Sequence, residues 1–126
     1  MQLGKEQLNL LSIIIPARDE EGAIERAVLI LDQALRENNV PHEIVVVDDG
    51  SKDRTWEILL NLKEKITSLS PVQNKGENGF GRAVIYGLNH ALGDAMVITM
   101  ADLSDDPKDI VMYWQELNKG VECVFG

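Results

Sequence analysis

Glu43-Ile44-Val45-Val46-Val47-Asp48-Asp49-Gly50-Ser51 is the stretch that decides the fold. Four β-branched residues in a row have no polar alternation, so this run suits a short strand buried on both faces of a sheet. It ends in two carboxylates, and Gly50-Ser51 permits a turn. Downstream, Ser51 or Asp53 can cap a helix carrying Trp56, Leu59, Leu60 and Leu62. Upstream, Leu10 to Ile15 is a second buried strand, and Pro16 marks the exit from it. Between the two, Ala23, Ala27, Ile30, Leu31, Ala34 and Leu35 recur at helical spacing. Asp19 to Glu21 suits the positive opening end of that helix, and Asn38-Asn39-Val40-Pro41 stops it.

The alternation continues to the end of the chain. Ser70 to Gln73 reads as a third strand, Gly81 to Leu92 as a helix, and Ala95 to Thr99 as a fourth strand. Pro107 suits a helix start, with Ile110, Val111, Trp114 and Leu117 as the buried stripe. Val121 to Phe125 reads as a fifth strand. The predicted class is α/β: three layers, α/β/α, with a mainly parallel sheet and right-handed crossovers.

One domain accounts for all 126 residues, and 44% hydrophobic content supplies a core. A net charge of −9 argues against nucleic acid as a partner. Cys123 is the lone cysteine, which excludes an intrachain disulfide and fits a reducing compartment. Apolar runs are of strand length only, and Met1 to Asn9 lacks the pattern of a secretory leader. The expected location is cytoplasmic, with a longer protein at the cytoplasmic face of a membrane.

In an open parallel sheet, ligands collect beyond the carboxyl ends of the strands. Those ends here are acidic: Asp19-Glu20-Glu21, Asp48-Asp49 and Asp102, with Asp105-Asp106 following. Carboxylates brought together repel one another, so a divalent cation or ligand donors are expected among them. No Gly-x-Gly-x-x-Gly loop follows the first strand, which argues against a dinucleotide-binding fold.

Four motifs, in order from Ile13 to Ser104, carry a resemblance: Ile-Ile-Ile-Pro-Ala-Arg-Asp-Glu-Glu, Ile-Val-Val-Val-Asp-Asp-Gly-Ser-Lys-Asp-Arg-Thr, Asn-Gly-Phe-Gly-Arg-Ala and Ala-Asp-Leu-Ser. Together they resemble glycosyltransferase family 2, and within it the dolichol- and polyprenyl-phosphate mannose synthases. The resemblance implies the Rossmann-like nucleotide-binding half of the GT-A fold. Residues 1–126 would then form the N-terminal, nucleotide-sugar-binding part of a catalytic domain.

By that resemblance, Pro16, Arg18 and Glu20 line a nucleobase and ribose pocket, and Val46 and Asp48 border it. Gly79 and Arg82 would approach the diphosphate, with help from the N–H groups of a helix start. Ala101 and Asp102 complete the donor site. Asp102, with Ser104, would hold Mg²⁺ or Mn²⁺. The family usually has Asp-x-Asp where this chain has Met100-Ala101-Asp102, and a thioether does not replace a carboxylate. Arg18 stands where the family often has an aromatic residue. The implied reaction is inverting transfer from a GDP- or UDP-sugar to an acceptor such as a polyprenyl phosphate, without an enzyme-bound nucleophile. No catalytic residue is assignable, because family domains extend well past a segment like Val121 to Gly126. The expectation is therefore a donor-binding part that does not turn over alone. The alternative is a catalytically inactive nucleotide-binding module.

Several residues have simpler readings. Asp105 and Asp106 suit capping ahead of Pro107. His42 and His90 are read as surface or packing residues, and Trp56 and Trp114 as core. A sheet edge left open would invite pairing with another copy.

Overall fold

The computed structural model describes residues 8–103 and 105–119. The order is β1 (Leu11–Ala17), α1 (Ile24–Glu37), β2 (His42–Asp48), α2 (Thr55–Lys65), β3 (Leu69–Gln73), α3 (Phe80–His90), β4 (Ala95–Ile98) and α4 (Pro107–Asn118). The fifth predicted strand, Val121 to Phe125, lies outside the described residues.

All strand pairs are parallel, and the sheet order is β3-β2-β1-β4. The chain moves outward from β1 to β2 to β3, then returns through α3 to place β4 on the other side of β1. Beyond the carboxyl ends of β1 and β4, where that direction reverses, parallel sheets form a ligand crevice.

The two faces of the sheet are unequally covered. Ile13, Ile15, Ile44 and Val46 point to one face, where they pack with Val28, Leu31 and Leu35 of α1, Leu59 of α2, and Ile110 and Trp114 of α4. Ile14, Val45 and Val47 point to the other, where α3 supplies Ala83. A Cβ on Gly87 would lie 2.6 Å from Ile14 Cγ2 and 2.9 Å from Val47 Cγ2, so the absence of a side chain lets α3 sit close against the sheet. The result is the three-layer α/β/α arrangement. At the β4 side, Met96, Ile98 and Met100 are exposed, at about two-fifths of their surface each.

Two departures from expectation, at the end of β1 and the start of α1, have a physical reason. Pro16 does not end β1: it pairs with Val47, and the strand runs on to Ala17. Backbone polar groups alternate sides along a strand. Ile14 O accepts from Thr99 N at 3.0 Å, so Pro16, two residues on, faces β4 as well. Having no N–H, it offers β4 nothing to pair with. The β1–β4 ladder stops at Ile14 and Ile98, and the strands part. Pro16 thus helps to open the crevice.

The first helix begins at Ile24, five residues after Asp19. Asp19 instead adopts φ 53°, which a short polar side chain tolerates. Its Oδ1 accepts from Lys52 N at 2.7 Å and Asp53 N at 3.3 Å, and Ser51 Oγ accepts from Asp19 N at 2.9 Å. Glu21 Oε2 accepts from Arg54 N, and Asp53 Oδ2 from Glu21 N. These acids bind the turns after β1 and β2 to each other, in place of the helix-dipole role expected from their position.

Candidate functional site

The rim at the carboxyl ends is built from four segments. β1 delivers Arg18 and Glu20; β2 delivers Asp48 and Asp49; the loop after β3 and the first turn of α3 deliver Gly79 and Arg82; and the turn after β4 delivers Ala101 and Asp102. Ala17 is in register with Asp48, so the first two ends are adjacent. Thr99 N donates to Ile14 O, which holds the start of the β4 turn beside β1.

Not every rim acid is available to a ligand. Asp19, Glu21 and Asp53 serve the turn-to-turn contacts above. The Asp53 carboxyl is nudged up by desolvation, but the Thr55 hydroxyl and the N–H groups of Thr55 and Glu21 bring it below the usual carboxylate range. Asp49 is 5% exposed and accepts from Asn74 Nδ2 and Gly79 N, both at 2.9 Å. Asp105 departs from the expected cap: its Oδ2 accepts from Thr99 Oγ1 at 3.1 Å. Asp106 does cap α4, accepting from Lys108 N at 2.9 Å.

Glu20, Asp48 and Asp102 all stand at the same rim. Glu20 is half-buried; its N–H donates to Thr55 Oγ1, which fixes its backbone and leaves the carboxylate outside that bond. Asp48 is 3% exposed, and its Oδ1 accepts from Ser51 N at 3.2 Å. Asp102 is exposed, following Ala101, and Leu103 takes φ 56° in that turn. Neither Glu20 nor Asp48 is ion-paired with another described residue.

Arg18 is exposed at the end of β1. Arg82 is exposed too, but its Nη2 is paired with Glu77 Oε2 at 2.8 Å, across the glycine-rich loop. Gly79 takes φ 146°, a conformation that favours glycine. Pro16 is buried, and two other expected residues are enclosed: Val46 is 0% exposed and Ala101 3%, both in the main core. Side chains alternate along β2, and the one at Val46 points toward α1 and α2. Ala101 offers a ligand its backbone rather than its methyl group. Ser104 lies outside the described residues.

A family model for glycosyl transferase family 2 matches residues 12–126. The chain belongs to this family. It is 36% identical over 115 residues to a dolichol-phosphate mannosyltransferase of Pyrococcus furiosus, covering 91% of this chain and 32% of that protein. Among solved structures, a mannosyltransferase from Pyrobaculum calidifontis in complex with GDP-mannose and Mn²⁺ superposes with a TM-score of 0.68, at 27% identity, over 84% of this chain and 31% of that one. S. aureus TarS residues 1–349, solved with UDP-GlcNAc, gives a TM-score of 0.63 at 25% identity, over 84% and 31%. The fold is therefore that of GT-A glycosyltransferases. The chain spans about a third of the length of the curated relatives it matches.

For this family member, the fit of a divalent cation depends on the donor set. Among the described residues, no three His, Cys, Asp or Glu side chains come together as a protein cage. Met100 is 40% exposed at the rim and brings no oxygen. A single carboxylate such as that of Asp102 would hold a Mg²⁺-like ion only alongside oxygen ligands from elsewhere. No helix among the described residues is long and apolar enough to cross a membrane.

The Asp32–His42 pair at the opposite end of the sheet carried no functional signal in the sequence. Asp32 Oδ1 lies 2.8 Å from His42 Nε2 and accepts from Ser68 Oγ at 2.7 Å, and Asp32 Oδ2 pairs with Arg36 at 3.0 Å. An acid within the apolar stripe of α1, between Leu31 and Leu35, was the available clue. His90 is exposed and stacks on Tyr86, with ring centroids 4.5 Å apart.

Proposed function

We propose that this chain binds the nucleoside-diphosphate sugar of a glycosyltransferase and forms the donor side of its catalytic domain. The observation that carries the proposal is that Glu20, Asp48 and Asp102 each follow the carboxyl end of a strand on one edge of the sheet, beside the point where the strand order reverses, in a member of glycosyltransferase family 2. A named relative uses dolichol phosphate, and solved neighbours hold GDP-mannose or UDP-GlcNAc. Those facts support a GDP- or UDP-sugar donor and a polyprenyl-phosphate acceptor.

In this reading Glu20 and Asp48 accept hydrogen bonds from the ribose hydroxyls or the base. Arg18 stacks on the base or reaches a phosphate. The Gly79 loop and Arg82 lie against the diphosphate, and Asp102 would hold Mg²⁺ or Mn²⁺. A bound cation would offset the negative charge that builds on the departing diphosphate. In the transfer itself, the bond from the anomeric carbon to the diphosphate oxygen breaks, and its electron pair leaves with that oxygen. An acceptor oxygen bonds to the opposite face of the carbon, which inverts its configuration. A lipid phosphate arrives already ionised and needs little proton removal.

Titrating the chain with GDP, UDP and their sugar conjugates, with and without Mn²⁺, tests the proposal. Binding that strengthens with Mn²⁺ is the expected result. Binding indifferent to metal favours an inactive nucleotide-binding module, for which Met100 is the argument, and no binding at all refutes both. Incubation with labelled donors and a polyprenyl phosphate should give no transfer by these 126 residues alone. A sheet edge left open would make the chain self-associate at high concentration, because unpaired strand edges recruit strands.

A further inference from the structure

Asp49 is the second carboxylate of the β2 turn, and it stands behind the site, not in it. Its backbone N–H donates to Ala17 O at 2.8 Å, which joins it to β1. Its Oδ1 accepts from the Asn74 side chain, just after β3, and its Oδ2 accepts from the Gly79 N–H, just before α3. Asn74 carries the link further. Its Nδ2 also donates to Glu77 O at 3.0 Å, its Oδ1 accepts from Gly76 N at 3.1 Å, and its N–H donates to Asp48 O at 2.9 Å. The Asn78 side chain closes over Gly50 so tightly that a Cβ there would lie 2.7 Å from Asn78 Nδ2. The glycine-rich loop is thus bonded at both ends to the turn that bears Asp48.

We propose that Asp49 is a positioning residue that couples the nucleoside end of the donor site to its diphosphate end. This rests on the nucleotide reading given above. Asp48 sits on the same turn as Asp49, whereas Gly79 ends the loop that Asp49 holds and Arg82 follows it in the first turn of α3. A ligand reaching both ends profits from their being held in place together; a ligand reaching only the turn does not. Asp49 therefore favours an intact nucleoside diphosphate over the nucleoside alone. Both its oxygens face donors, so an amide at this position must turn its NH₂ toward either Gly79 N–H or the Asn74 NH₂.

Asp49→Asn is the first variant. Exchange of the Gly79 amide, followed by NMR, should speed up about tenfold, as for loss of one hydrogen bond to an ionised group. By calorimetry, GDP and UDP should bind about tenfold more weakly, while guanosine and uridine change less than about twofold. Asn74→Asp should act in the same direction by facing carboxylate with carboxylate. The swapped pair, Asp49→Asn with Asn74→Asp, exchanges the two groups: the amide now on the β2 turn donates to the carboxylate now after β3. It should recover part of both losses. That recovery separates a positional role from general damage to the fold. Unchanged Gly79 exchange in Asp49→Asn, or equal weakening of nucleoside and diphosphate, would overturn the proposal. If the unaltered chain binds neither GDP nor UDP, the nucleotide reading fails and the coupling falls with it, while Gly79 exchange still decides whether the latch exists.

Discussion

The two ends of the sheet treat their acids in opposite ways. At the amino ends of the strands, each carboxylate is answered by the chain itself. Asp32 meets Ser68, His42 and Arg36; Glu43 accepts from Ser12 Oγ and Leu92 N; Asp94 accepts from Asn9 N and Leu10 N. At the carboxyl ends, Asp19, Glu21, Asp49 and Asp53 are likewise used up in joining turns. At Glu20, by contrast, the described bonds run through the backbone, and Asp48 accepts from Ser51 N within its own turn. A carboxylate satisfied in place stabilises the fold, and one held at a rim without a cation is suited to a ligand that brings donors or a metal. The acid count of this chain is therefore a poor guide to its site, and the partners of each acid are a good one.

The sharpest way to break this contrast is to remove an acid from each end. Asp32→Ala leaves His42 and Ser68 without their common acceptor in a buried setting, and should cost about 3 kcal/mol of stability. Denaturant unfolding measures it, and nucleotide affinity of the folded protein should stay the same. The same cluster shapes the acid limb of stability. Burial pushes the Asp32 carboxyl up, but the hydrogen bonds from Ser68 and His42 and the charge of Arg36 outweigh it and hold the group below its usual 3.8. The unfolded chain then takes up this proton first as pH falls. The stabilisation is whole above 3.8 and disappears as pH drops through the lower folded value. Asp32→Asn should flatten that limb in pH-dependent melting.

At the other end, Glu20→Gln should leave stability within about 0.5 kcal/mol, because the bonds of Glu20 to other described residues run through its backbone. Nucleoside-diphosphate affinity should fall about tenfold, which calorimetry detects. Equal and opposite results for the Asp32 and Glu20 variants would destroy the contrast.

Much of this was legible from the sequence, and the exceptions share a cause. Ile13-Ile14-Ile15 and Ile44 to Val47 identify their strands because nothing else buries such runs on two faces, and strand order then sends Glu20, Asp48 and Asp102 to one rim. Pro16 misleads because a proline is tolerated where the neighbouring strand has already left. Asp19 and Glu21 mislead because a carboxylate can serve any nearby N–H, and the ones that it serves lie over 30 residues away. Asp32 and His42 stay hidden because their meeting needs α1 and β2 already packed.

Met100 offers the finest test of the contrast. It occupies the rim beside Asp102, exposed, where a second carboxylate would complete the pattern usual in this family. Mg²⁺ and Mn²⁺ favour oxygen ligands, so the thioether adds nothing to a cation held by Asp102. Met100→Asp places a further acid at the open end of the sheet, where no described cation neutralises Glu20 or Asp48. Without metal, repulsion among these carboxylates should weaken nucleotide binding slightly. With Mn²⁺ the order should reverse, and GDP or UDP should bind several-fold more tightly than to the unaltered chain, within the roughly 1 kcal/mol expected of an exposed charge. Chelation with EDTA should erase the gain. Calorimetry with and without Mn²⁺ reads both signs in one series. A gain that survives EDTA would mean that the rim attracts nucleotide by some route other than a cation at Asp102.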